Sequence, residues 1–153
     1  LGSFSLKIHA MKTYKGLILK RSDIPDNGIF VFGANTEGRH SKGAALVAYR
    51  HFDAEYRNPQ GPQGRSYAII TKDLRKKVHP SIPRFYIESE IRALYKFAER
   101  HTHLEFYIAY GTGKNLNAYS PQEMADMFSK FPIPENVVFN EEFSKLLTLK
   151  TAA

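Results

Sequence analysis

Residues 29–32 (IFVF) form an unbroken apolar run that stops at Gly33. A strand with one wet face alternates apolar and polar residues. A run without alternation calls for a strand buried on both faces, as in the sheets of α/β proteins. The next residues tighten the constraint. Residues 33–45 (GANTEGRHSKGAA) make a glycine-rich loop, and residues 43–51 (GAALVAYRH) read as a helix. Gly43, Ala44 and Ala45 are small enough to let its first turn lie close to a sheet. Buried strand, glycine loop and helix, in that order, predict an α/β fold with a ligand loop at the strand's C-terminal end.

The rest of the chain repeats the alternation. Residues 17–20 (LILK) are a short strand candidate, and residues 22–28 (SDIPDNG) a turn cluster centred on Asn27-Gly28. Residues 57–65 (RNPQGPQGR) predict a flexible second loop, and residues 67–71 (YAIIT) another apolar strand. Residues 73–83 are basic and bounded by proline, which suits an exposed excursion. Residues 84–101 carry Ile87, Ile91, Leu94, Tyr95 and Ala98 on one stripe, the pattern of an amphipathic helix. Residues 104–110 (LEFYIAY) predict a strand and residues 111–119 (GTGKNLNAY) a third polar loop. Ser120, Pro121 and Glu123 form a helix start with a capping box for residues 120–131. Residues 137–139 are a last strand, after which Asn140 caps a short helix with Glu141 and Glu142 in its first turn. If the strands before Gly33 and Gly111 are parallel neighbours, both loops open on one edge of the sheet.

Length and composition fit one domain. The chain has 153 residues, 42% hydrophobic and 24% charged, and no apolar run near the roughly 20 residues that span a bilayer. There is no cysteine, which excludes disulfides and thiolate metal sites. A cytoplasmic location (a bacterial cell, phage-infected or not) is the expectation, with no membrane partner. Met11 opens a natural-looking start, so residues 1–10 are expected to be a leader foreign to the natural chain, and residues 11–153 one domain. Net charge is +7, from 22 Lys and Arg against 15 Asp and Glu. That favours anionic partners. Arg39, Lys42, Arg57, Arg65, Lys72, Arg75, Lys76 and Lys77 lie near the glycine-bearing segments.

A helix N-terminus offers unpaired N–H groups and partial positive charge to an anion, and glycine lets backbone approach it. Gly33, Gly38 and Gly43 supply this in the first loop, and Gly111 and Gly113 in the late one. The spacing from Gly38 to Gly43 is that of a P-loop, but Ala44 and Ala45 stand where Lys and Ser/Thr are needed. The loop does not fit GxGxxG either. The plainer alternative is that these glycines only make tight strand-to-helix turns.

The segment IFVFGANTEGRHSKGAALVAYRHFDAEYRNPQGPQGRSYAIITKD, with the later GTGKNLNAYSPQEMADMF, resembles a family of small phage and bacterial proteins. Their signature is a VFGSN-type strand end, a GRHGxGAA-type loop, a SYAIPTKD-type segment and a late GxGxxGYSxEEIAxMF-type segment. The order of elements is also similar to the macro domain, an ADP-ribose-binding module. The resemblance implies a three-layer α/β/α mixed sheet that binds ADP-ribose or a related nucleotide derivative and hydrolyses an ADP-ribosyl or phosphoester bond if it is an enzyme. It implies no cofactor. Asn35 would match the ribose-contacting Asn, Gly38 to Gly43 the first ligand loop, and Gly111, Thr112 and Gly113 the phosphate loop. The ligand-binding set is then Gly33, Ala34, Asn35, Gly38, Arg39, His40, Ser41, Lys42 and Gly43 with Gly111, Thr112, Gly113, Lys114 and Asn115. This chain departs from the macro-domain pattern by filling its first loop with Arg39, His40, Ser41 and Lys42. In the late loop, Asn115 and Ala118 stand where the phage family has glycine or a small residue.

Candidate catalytic groups are Asn35, His40 as an acid/base near neutral pH, and Asp73 at a strand end. Exposed or structural roles compete for each. His101 and His103 have ligand-like spacing but no third partner, so no metal is expected. Tyr107, Tyr110 and Tyr119 surround the late loop and offer rings for a base or for the core. Two other functions stay open: a basic nucleic-acid-binding protein, and an interaction protein with a degenerate pocket.

Overall fold

The computed structural model describes residues 11–148; the expected leader lies outside them. The strands are β1 (Thr13–Tyr14), β2 (Gly28–Asn35), β3 (Gly61–Gln63), β4 (Ser66–Lys72), β5 (Glu105–Ile108) and β6 (Val137–Asn140). The helices are α1 (Gly43–His51), α2 (Arg84–Arg100), α3 (Pro121–Phe128) and α4 (Glu141–Ser144), with one 3-10 turn at Arg21–Asp23. The strands form one sheet in the order β1-β6-β5-β2-β4-β3. Neighbours are parallel except β3, which runs antiparallel to β4. This is a mixed α/β fold.

β2 is central, and its unbroken apolar sequence has the expected cause. Ile29 and Val31 face a core shared with Ile87, Ile91 and Leu94 of α2 and Met124 and Phe128 of α3. Phe30, Phe32 and Ala34 face the opposite core, with Ala45 and Ala48 of α1 and Phe52. Helices thus cover both sheet faces. The small residues of α1 do what their size allows, since Ala48 is fully buried against the sheet.

The α2 stripe is buried as its periodicity requires. α3 has the capping box: Ser120 Oγ accepts from Glu123 N and the Glu123 carboxylate accepts from Ser120 N. Asn140 caps α4 by accepting from Phe143 N. The second loop is less irregular than its sequence suggests, because residues 61–63 pair with β4. Two expectations fail. The strand does not stop at Gly33: β2 runs on through Ala34 and Asn35, which pair with β4, so the first loop starts at Thr36. Residues 17–20 are not a strand. β1 lies upstream and pairs with β6 through Thr13 and Tyr14, and the chain then turns at Gly16, in left-handed backbone at φ 75°. Leu17 and Leu19 are left exposed, with Ile18 buried between them.

Candidate ligand cleft

β2 and β5 are parallel neighbours, with Gly28 to Val31 in register with Glu105 to Ile108. Their C-terminal ends therefore share an edge, and the two glycine loops leave from it. Between them lies a cleft of about 450 Å³. Gly33 of β2, Thr71 of β4 and Tyr110 line its base. Residues 42–45 at the start of α1 form one wall and residues 111–117 the other, with Gly16, Leu17, Asn140 and Glu142 completing the rim. A second lobe of about 270 Å³, lined by Tyr14, Ile18, Leu19, Phe30 and Val47, shares Gly16, Leu17, Gly43, Ala44 and Tyr110 with the first.

Both walls present backbone amides. Lys42, the N-cap of α1, makes no side-chain cap bond. Among the described residues, the N–H groups of Gly43, Ala44 and Ala45 and of Gly111, Thr112, Gly113 and Lys114 donate to no protein acceptor. The late loop is held in this shape further along. Asn115 Nδ2 donates to Tyr119 O at 2.9 Å, Tyr119 N donates to Asn117 Oδ1 at 2.9 Å, and Ala118 sits in left-handed backbone at φ 70°. Neither Gly111 nor Gly113 has a neighbour within 4 Å of where a Cβ would stand, and neither has positive φ. Packing and backbone conformation therefore leave both positions open to larger residues. Lys42 and Lys114 add two cations, each outside any ion pair among the described residues.

Of the sequence-derived ligand set, Gly33, Lys42, Gly43, Gly111, Thr112, Gly113, Lys114 and Asn115 line the cleft. Ala34, Asn35, Gly38, Arg39, His40 and Ser41 do not. Ala34 is core. Asn35 closes its own loop: its Oδ1 accepts from the backbone N of Glu37 and Arg39, and its Nδ2 donates to Arg39 O at 3.0 Å. Gly38 takes φ 67° and packs so tightly on the Arg57–Asn58 backbone that a Cβ would lie 2.5 Å from it. Its glycine serves that crossing, not an approaching anion. Arg39 pairs with Glu37 at 3.1 Å, and Ser41 is exposed on the loop.

The catalytic candidates are likewise committed elsewhere. His40 is 1% exposed, edge-on to Phe32. Its Nε2 faces two oxygens, Asn58 O at 3.1 Å and Gln63 Oε1 at 3.3 Å, so that nitrogen carries the hydrogen. Its Nδ1 is buried without a partner. Asp73 is buried, and its carboxylate accepts from Arg75 N, Nε and Nη2 at 3.0 to 3.1 Å. The Arg75 bonds hold its pKa down at about 2, which makes it a poor base.

Among the tyrosines of the late loop only Tyr110 reaches the cleft, from below. It packs on Phe128 and Phe143, and burial pushes its pKa up to about 12 against hydrogen bonds from the Thr71 and Asn117 side chains. Tyr107 is core, resting on Tyr14, and Tyr119 is buried with its hydroxyl donating to Ile82 O at 2.6 Å. None offers a free face for stacking. Among the described residues no three His, Asp or Glu groups are placed to hold a metal ion, and the His101 and His103 rings lie 6.1 Å apart, just beyond the C-terminal end of α2.

Sequence reasoning missed Leu17 and Thr71 as lining residues, and its ligand set stopped at Asn115, short of Leu116 and Asn117 in the same loop. Leu116 carried a signal, an apolar residue isolated in the polar stretch GTGKNLNAY, and it is 59% exposed at the rim. Leu17 carried the opposite signal, since LILK imitates a strand.

No protein-family model, curated protein or solved structure matches the chain.

Proposed function

We propose that the cleft binds ADP-ribose or a closely related phosphorylated nucleotide derivative, as a macro-domain-like module. One observation carries this: two runs of residues whose backbone amides have no protein acceptor, 43–45 and 111–114, line one space. A diphosphate is the ligand fragment that can use both. Amides and a helix N-terminus bind phosphate without a dedicated cation, and Lys42 and Lys114 add to the field. Gly111 and Gly113 support it, because both line the cleft although neither packing nor backbone conformation requires a glycine there. The second lobe has the apolar lining that a nucleobase takes, with Leu17, Ile18, Phe30 and Val47 around it.

Binding is the activity this geometry favours over hydrolysis. Asn35, His40 and Asp73 are each consumed by contacts outside the cleft. Calorimetry with ADP-ribose, AMP and NAD tests the proposal. Tighter binding of ADP-ribose than of AMP supports it, since only the former brings a diphosphate and a second ribose. Absence of heat with all three at millimolar concentration rejects it.

A further inference from the structure

Residues 74–87 (LRKKVHPSIPRFYI) contain no Asp or Glu and four cations, Arg75, Lys76, Lys77 and Arg84. Only Arg75 has an ion-pair partner among the described residues. The same segment exposes Leu74, Val78, Phe85 and Tyr86, with Phe85 72% and Val78 80% accessible. Phe85 and Tyr86 lie in the first turn of α2, beside Arg84. The segment is not a loose tail. Asp73 N donates to Ser81 Oγ at 2.8 Å, which closes its base, and the Tyr119 hydroxyl donates to Ile82 O at 2.6 Å. That second bond seats the excursion against the end of the loop that carries Lys114. The excursion also leaves from the C-terminal end of β4, the edge on which the cleft opens.

We infer that this surface holds a single-stranded nucleic acid whose phosphorylated end or phosphate-linked modification enters the cleft. The inference rests on the cleft being a phosphate site, the function proposed for it, and names the larger substrate to which that phosphate belongs. Charge complementarity selects a polyanion: Asp73, the acid at the base of the excursion, is already used by Arg75. Two adjacent exposed rings beside the unpaired Arg84, in a segment that also carries the unpaired Lys76 and Lys77, match the way single strands are bound, by bases stacked on aromatic faces and phosphates on cations. A duplex hides its base faces and would leave Phe85 and Tyr86 unused.

Fluorescence anisotropy with labelled single-stranded DNA oligonucleotides, with and without a terminal phosphate, tests this in the full chain. Binding should weaken steeply between about 50 mM and about 200 mM salt, and Lys76→Ala with Lys77→Ala should lower the salt slope by about 0.7 for each phosphate left unneutralised. Phe85→Ala should weaken binding at least about fivefold at constant salt. These substitutions are on exposed side chains, and ADP-ribose calorimetry in the same variants should be unchanged. Equal affinity of wild type and the Lys76, Lys77 and Phe85 variants overturns the inference, as does absence of binding at low salt. Equal affinity for duplex, or binding to phosphatidylserine vesicles in place of oligonucleotides, overturns it too. If oligonucleotides bind through Phe85 while ADP-ribose does not bind and the terminal phosphate adds nothing, the cleft assignment fails and the surface assignment stands.

Discussion

The hydroxyl of Tyr110 stands where a Cβ on residue 33 would have to go, with Thr71 Oγ1 also only 3.0 Å from that point. Gly33 is therefore glycine for a steric reason. It lets β2 and the residues after β5 close the base of the cleft with a phenol. A neutral Tyr110 hydroxyl is preserved there because burial holds its pKa at about 12.

Gly33→Ala should cost about 1–3 kcal/mol of stability, the usual range for overfilling a packed site. Tyr110→Phe removes the oxygen the new Cβ meets, so the double variant should recover part of the loss. Urea unfolding of the four proteins measures the coupling between these contacting residues. Strictly additive losses would mean that the hydroxyl is not the obstacle.

The Asp73–Arg75 pair makes an acid prediction. Asp73 is held at about 2, below its ordinary 3.8, by the Arg75 hydrogen bonds. A depressed carboxylate stabilises the fold above its unfolded pKa, and that contribution disappears as pH falls from 3.8 towards 2. Arg75→Ala should return the Asp73 titration, followed by carboxyl NMR, towards the ordinary value. It should also flatten stability across that window. A titration that does not move would show that other groups depress it.

These two sites also mark what the sequence could and could not disclose. IFVF predicted a strand buried on both faces because burial on both faces is what removes polar alternation, and β2 has that environment. Ser120 and Glu123, and Asn140, acted through contacts three residues away, which sequence spacing records directly. Residues 34–41, the end of β2 and the loop after it, misled for the complementary reason. Asn35, Gly38 and His40 have residue types suited to a ligand, but what engages them is the loop's own backbone, Arg57–Asn58 and Gln63. Those are contacts across a chain reversal, and nothing local announces them. Lys42 and Gly43, at the end of the same loop, do reach the cleft because the start of α1 sets their direction.

Alkaline pH probes a different set of groups. Burial raises Tyr14, Tyr67, Tyr95, Tyr107, Tyr110 and Tyr119 above the ordinary 10.0. Their neutral forms are favoured in the fold, so the stability they contribute is complete below the ordinary pKa of 10.0 and is lost as pH rises towards the folded values. Ultraviolet titration should show these rings ionising together with loss of circular dichroism. Ionisation of all nine tyrosines near the ordinary value with the fold intact would contradict their burial.

Two glycines separate scaffold from site. Gly38 has φ 67° and backbone 2.5 Å from a Cβ position, so Gly38→Ala strains both the conformation and the crossing with Arg57. It should lower stability by more than about 1 kcal/mol, while the fraction that stays folded binds ADP-ribose as wild type does. Gly113 has open space on its Cβ side and no positive φ. Gly113→Val should leave stability within the small range typical of surface changes, about 0.5 kcal/mol, and weaken ADP-ribose at least about tenfold, a loss of about 1.4 kcal/mol. The opposite pattern, with Gly38→Ala impairing the ligand and Gly113→Val only the fold, would move the phosphate site to the first loop. Loss of stability in both would deny that residues 111–114 are held open for a ligand. Calorimetry and thermal unfolding on the same two preparations separate these outcomes, because Gly38 acts through Arg57 and Gly113 acts through whatever enters the cleft.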